Sequence, residues 1–173
     1  MMYKTHIVFA LFFYLILCLI FNFPKNFYIL LIIAFSSLIP DIDSTSSFIN
    51  KKIKFGKIIA ITSKHRGFWH SIFGLIIFFI ISLILSKIII IMNFPLYVSI
   101  GYITHLIADS LTINGIKPLW KFSNFHIKGK IKTASLFEYI LFIFLLILTI
   151  FVYSPKQFIN FTAYLIKNLK NKI

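Results

Sequence analysis

The fold class predicted by this sequence is all-α: a polytopic membrane bundle of about four or five helices, with a polar face at one membrane edge. Three observations carry that prediction. Hydrophobic residues make up 60% of the 173 and charged residues only 13%, more apolar surface than a water-soluble core of this length can bury. The apolar residues gather in five runs, 7–23, 27–39, 71–92, 94–111 and 136–153, separated by polar or turn-forming stretches. Within and around those runs, the titratable side chains crowd the run ends.

The first run follows Lys4 and His6 and is closed by Asn22, Phe23 and Pro24. It lacks a small-residue cleavage pattern, so it is predicted to be a retained anchor rather than a signal peptide. It holds Cys18, the only cysteine, which leaves no intrachain disulfide and no thiolate cluster for a metal. The second run is short for a hydrocarbon layer that takes about 20 residues to cross, and is expected to be tilted, half-inserted or buried in the bundle. It ends in "LIPDIDS", residues 38–44, where Pro40 interrupts the helix and Asp41 and Asp43 follow. The third run opens from "SKHRGFWHS", residues 63–71, with Gly67 permitting a turn. The fourth carries His105 and Asp109 near its exit, a basic connection spans 113–135, and the fifth begins around Glu138. The tail from about 155 to 173 is basic and amphipathic at helical spacing, suited to lying along a bilayer surface and equally to being a solvated end. With no repeat or linker to divide it, residues 1–173 read as one integral-membrane helical domain.

If the runs alternate in direction, their ends sort onto two sides. His6, Asp41, Asp43, His65, His70, His105, Asp109, His126 and Glu138 then share one side, which is every histidine and every acidic residue in the chain. That side also holds Lys4, Lys51, Lys52, Lys54, Lys57, Lys64, Arg66, Lys117, Lys121, Lys128, Lys130 and Lys132. The positive-inside tendency puts it in the cytoplasm, and the expected location is the cytoplasmic (inner) membrane. The net charge of +14 lies between apolar spans rather than on a recognition helix, so anionic headgroups are the expected partner and no specific nucleic acid is predicted. Oligomeric state is left open by the sequence.

In "HLIAD", His105 and Asp109 stand four apart on a helix and project from one face, where one ion can touch both. Imidazole and carboxylate are common ligands for zinc and similar divalent ions; a hydrogen bond between the two side chains is the simpler alternative. Buried ionisable groups in membrane spans are costly and generally have partners. Asp41 and Asp43 offer one ligand and one orienting group, or merely cap a turn. His65 and His70, five apart, straddle a loop and the start of the third helix, able to reach a site from different directions. Arg66 is the single arginine among 18 Lys and Arg residues, which suits a bidentate grip on phosphate or carboxylate, or a headgroup contact. Glu138 is either a ligand or base, or a carboxylate favoured by a helix N-terminus. Ser71, Thr104 and Thr112 are candidates for supporting hydrogen bonds, and Trp69 and Trp120 for interface anchors.

His6 near the amino terminus, "PDID" at 40–43, "HRGFWHS" at 65–71 and "GYITHLIADSLTINGIKPLW" at 101–120 together resemble the YdjM-like, LexA-regulated, membrane-bound metal-dependent hydrolases. The resemblance covers most of the chain up to Trp120. It implies an integral inner-membrane protein with a hydrolase's metal site, distantly similar to the zinc-dependent phospholipase C and single-strand nuclease superfamily. By motif order it implies metal ligands at His6, Asp41, His65 or His70, His105 and Asp109. The superfamily's later HxxxE pair has no counterpart, since Ala134 stands four residues before Glu138.

The expected function is hydrolysis of a phosphoester, lipid-linked in the fullest version, assisted by a divalent metal, zinc or manganese, that activates water. His6, Asp41, His65, His70, His105 and Asp109 are the expected ligands; Asp43 and Glu138 the candidate base or orienting groups; Arg66 the group that neutralises the substrate's anion. Closed coordination by four protein ligands would instead mark a structural metal or a polar clamp in a non-catalytic membrane protein. An ion transporter ranks last, because the opposite side of the bundle supplies no continuing polar path.

Overall fold

The computed structural model describes residues 1–43 and 67–156, Asp43 by its backbone alone. Five α-helices form among the described residues: α1 Tyr3–Phe21, α2 Phe27–Ser36, α3 Ile72–Leu85, α4 Phe94–Ser110 and α5 Leu136–Tyr153. Short 3-10 turns occupy Ile39–Asp43 and Phe68–His70. No strand is formed among the described residues; the α4–α5 connection has two isolated backbone bridges, Thr112 with Ile131 and Ile116 with Ile127. The fold is all-α, and each apolar run becomes one helix.

Local signals set the helix ends. Asn22 adopts φ 55° after α1, a left-handed conformation that asparagine tolerates at a helix end. Asn26 caps α2 by accepting the Ile29 N–H at 2.9 Å, and Ser71 caps α3 through the Phe73 N–H. Asn93, again left-handed at φ 59°, leads into α4, where Pro95 sits in the first turn. Two boundaries differ from the apolar runs. Helix α1 starts at Tyr3, because Lys4, Thr5 and His6 continue the helix despite their polarity, so His6 lies inside it rather than before it. Helix α3 stops at Leu85, with Ser86 as its C-cap, so the run to residue 92 is a 14-residue helix followed by turns.

Helix α4 is central, packing on α1, α2 and α3, while α5 lies against α1. Between α1, α2 and α4 the core holds Ala10, Tyr14, Cys18, Ile29, Ile33, Tyr97 and Ile100. A second cluster joins Tyr102 and Leu106 of α4 to Ile116 of the following connection. At Gly101 the α2 and α4 backbones come so close that an added Cβ would lie 2.0 Å from Ser36 Oγ and 2.6 Å from the Ile33 carbonyl oxygen, the small-residue crossing common in membrane bundles.

The exterior is apolar. Only Glu138 and Leu145 of α5 are buried, while Ile140, Ile143, Phe144, Ile147 and Phe151 are exposed on it. Helices α1 and α5 are the two among the described residues that are long and apolar enough to cross a membrane; α2 and α3 are shorter apolar helices. At 14 residues α3 is about 21 Å long, below the roughly 30 Å of a hydrocarbon core. The tail beyond residue 156 lies outside the described residues.

Glu138 ties α5 to the start of the chain. Ser135 caps α5 and Glu138 stands three residues on, the pattern of a capping box. The fully buried carboxylate accepts the Met2 N–H at 2.6 Å through Oε1 and the Ala134 N–H at 2.7 Å through Oε2. Glu138→Gln, which turns one acceptor into a donor facing an N–H, is expected to cost about 2 kcal/mol, read as a lower unfolding temperature in detergent; an unchanged temperature would remove this clamp from the account.

Candidate metal centre

Gly101, His105 and Asp109 recur every four residues on α4 and so share one face. The glycine seats that face on α2, and one turn later His105 meets the end of α2: its Nδ1 lies 2.6 Å from the Ser37 carbonyl oxygen. A carbonyl only accepts, so Nδ1 carries the proton and Nε2 presents its lone pair. This is the arrangement by which an outer hydrogen bond orients a histidine ligand. On α1 the stripe His6, Ala10, Tyr14 and Cys18 faces the bundle interior, and His6 stacks on His105 with centroids 3.8 Å apart and planes 9° from parallel. Asp41 arrives on the 3-10 turn that follows α2, and His70 on the turn that precedes α3. Tyr102 fixes the latter by donating its hydroxyl to the Trp69 carbonyl.

The five side chains converge. His6 Nε2 lies 3.4 Å from Asp109 Oδ1, and His70 Nε2 lies 3.5 Å from Asp109 Oδ2. His70 Nε2 is 3.6 Å and His105 Nε2 is 3.8 Å from Asp41 Oδ1, and the two Nε2 atoms are 3.3 Å apart. Two overlapping groups, His6, His105 and Asp109, and Asp41, His70 and His105, each place three ligand atoms within 4.8 Å of one another. The Met1 ammonium also contacts Asp109 Oδ1, at 2.5 Å. His6, His70, His105 and Asp109 are buried, while the Asp41 side chain keeps 20% of its surface exposed. Burial alone would raise the Asp41 carboxyl, but the His105, His70 and His6 rings more than offset it and hold its pKa well below the usual carboxylate value.

These donors fit a divalent ion. Imidazole nitrogen with carboxylate oxygen is the chemistry zinc and manganese accept, and the short distances between ligand atoms are of the order that one ion between them spans. Among the described residues buried His6 Nδ1 has no hydrogen-bond partner and Nε2 faces Asp109 Oδ1 at 3.4 Å, and a buried polar atom left so is costly unless something else engages it.

Of the residues expected from the sequence, His6, Asp41, His70, His105 and Asp109 are brought together. His65 and Arg66, and the side chain of Asp43, lie outside the described residues. Glu138 belongs to neither ligand group; both its oxygens face backbone amides, the geometry of a clamp rather than of a free base. The hydroxyls of Ser71, Thr104 and Thr112 donate to backbone carbonyls of their own turns, of Phe68, Gly101 and Asp109 respectively. The group that orients His105 is instead the Ser37 carbonyl, which sequence reasoning missed. A main-chain carbonyl leaves no residue-type signature; the nearest signal is the polar pair Ser36–Ser37 closing an apolar run.

A protein-family model described as "YdjM inner membrane protein" matches residues 1–168. Over 89 residues the chain is 40% identical to the "Uncharacterized protein YvsG" of Bacillus subtilis (strain 168), covering 50% of this chain and 53% of that one. Over 88 residues it is 35% identical to the "Inner membrane protein YdjM" of Escherichia coli (strain K12), covering 48% of this chain and 44% of that one. The chain thus spans about half the length of the curated relatives it matches. No solved structure matches it.

Proposed function

Because the chain belongs to the YdjM inner membrane protein family, we propose that it is a membrane-bound, metal-dependent hydrolase acting on a phosphoester, most fittingly one attached to a lipid. The observation that carries this reading is the convergence of three imidazoles and two carboxylates on one small buried volume, with His105 held in the tautomer that ligates. His6, Asp41, His70, His105 and Asp109 would hold the ion, zinc or manganese by donor chemistry, with His65 a further ligand from its motif. The bound ion would supply Lewis acidity toward a phosphoryl oxygen and a water of lowered pKa.

The chain's own groups have separate tasks. Ser37 fixes the His105 ring through Nδ1, and its Nε2 faces Asp109 Oδ2 across 3.8 Å, the gap an ion would bridge. Asp41, the most exposed of the five donors, marks the side from which a substrate reaches them. Asp43 and Arg66 are assigned from the sequence, the first to orient or deprotonate the attacking water and the second to neutralise the phosphoester anion. Glu138 acts at a distance as a positioning residue, holding the start of α1, and with it His6, against α5. The many lysines that the sequence puts at this end of the helical runs support a site facing the cytoplasm, by the positive-inside tendency.

The burial of four of the five donors favours one competing reading, a structural metal that pins the helix ends together. Elemental analysis of the detergent-purified protein, followed by assay of chromogenic phosphodiesters and phospholipids, separates the two. Stoichiometric zinc or manganese with metal-dependent turnover is the expected result. Metal without turnover on any phosphoester would establish the structural reading, and a folded protein that neither holds nor takes up metal would end both.

A further inference from the structure

The connection between α4 and α5 carries chemistry that the metal centre does not use. Between Asp109 and Glu138 there is no acidic residue, while Lys117, Lys121, Lys128, Lys130 and Lys132 are all present and all exposed. Interleaved with them are exposed apolar side chains, Phe122 at 76% and Phe125 at 59%. Water gives large apolar residues no reason to stand out beside lysines, whereas a headgroup layer satisfies both: ammonium groups meet phosphates and aromatic rings enter the acyl boundary.

The segment is held in shape rather than trailing in solvent. Ile116 and Ile127 exchange backbone hydrogen bonds at 2.9 and 3.0 Å, and the Gly129 N–H donates to the Thr112 carbonyl at 2.9 Å. It is also fastened to the His70 arm of the centre. The Pro118 carbonyl accepts the Ile72 N–H at 2.9 Å, Trp120 meets Phe68 edge-on with centroids 5.2 Å apart, and Phe122 packs on Phe73 at the same distance. Lys121 lies over the Trp120 ring at 4.9 Å.

We propose that residues 117–132 form a docking surface for the anionic phospholipid headgroups of the protein's own bilayer, with the five lysines contacting phosphate and Phe122 and Phe125 seated in the acyl boundary. The occupant is lipid rather than nucleic acid because the lysines flank exposed rings on a segment that runs directly into α5, an apolar helix long enough to span a membrane. A nucleic-acid face would instead leave those rings to stack on bases or stand in water.

Trp120 is a built-in reporter. In a Trp69→Phe background it is the only tryptophan, and the full chain can be placed in nanodiscs containing brominated phosphatidylglycerol or, at the same mole fraction, brominated phosphatidylcholine. Stronger quenching by the anionic lipid is expected, with a local enrichment of up to about fivefold for each lysine in contact. The excess should shrink at high salt and disappear when the five lysines are changed to glutamine, while metal content, read separately, stays at the wild-type level. Equal quenching by both lipids would overturn the proposal and leave a solvated basic loop. So would a quenching excess that an added single-stranded oligonucleotide abolishes at concentrations where an acidic peptide does not. Because the readout is lipid contact, failure here leaves the metal centre standing, and loss of the metal leaves this surface standing.

Discussion

His105→Ala protein, purified beside the wild type, is expected to retain no stoichiometric metal. His105 is the one residue common to both ligand groups, so its removal takes a donor from each. An outer-sphere partner of a metal ligand is typically worth 10–100-fold in affinity; a ligand shared in this way should exceed that, with a loss of about 100-fold or more. The substitution also strands the Ser37 carbonyl and removes the ring on which His6 stacks. Asp109→Asn provides a variant that keeps shape while discarding the charge that faces His6, His70 and His105. His126→Ala is the matched control, since that histidine is exposed, belongs to neither ligand group, and its ring hydrogen-bonds the Asn114 carbonyl. Equal metal in wild type, His105→Ala and Asp109→Asn would show that the ion binds elsewhere.

Gly101→Ala is expected to cost about 3 kcal/mol or more, the upper end of what overpacking a tight interface usually costs, and to weaken metal binding although residue 101 touches no ligand atom. The new methyl would meet Ser36 Oγ at 2.0 Å and the Ile33 carbonyl at 2.6 Å. A hydroxyl can be removed but a main-chain oxygen cannot move without α2. Separating α2 from α4 would draw the Ser37 carbonyl away from His105 Nδ1 and free the ring to turn. Thermal unfolding in detergent reads the first effect and metal titration the second. Adding Ser36→Ala should recover part of the loss and not all of it, because the Ile33 oxygen remains. A Gly101→Ala protein as stable as wild type would mean that the close approach of the two helices is not as described.

The contrast between these two variants bears on how much of the molecule could be read in advance. The five helices were legible because each is an apolar run, and α2, α3 and α4 begin within a residue of their runs, where Asn26, Ser71 and Pro95 act locally. His105 and Asp109 were legible as a pair because a helix fixes the direction of residues four apart. Asp41 and Asp43 could not be distinguished, since an extended or turn segment leaves the directions of alternate residues open; the 3-10 turn brings Asp41 to His70, and the Asp43 side chain lies outside the described residues. Glu138 kept two readings open, and what it meets is the Met2 and Ala134 amides, a tertiary contact that no spacing encodes. Ser37 was silent because its contribution is a carbonyl. The shortness of α2 was legible from the length of its run, whereas that of α3 was not, because turns after Leu85 cut its apolar run to 14 residues.

The placement of the ligands has a consequence for how the protein matures. His6 comes from the first helix, Asp41 from the turn after the second, His70 from the turn before the third, and His105 and Asp109 from the fourth. No single helix or turn contains the full donor set, which is complete only once Asp109 has been made, and the long-range closures that unite it come late in assembly. If the centre takes up metal as proposed, ion capture would be a property of the docked bundle, and a cell short of the ion would accumulate inserted chains whose helices are in place but whose final latch has yet to close.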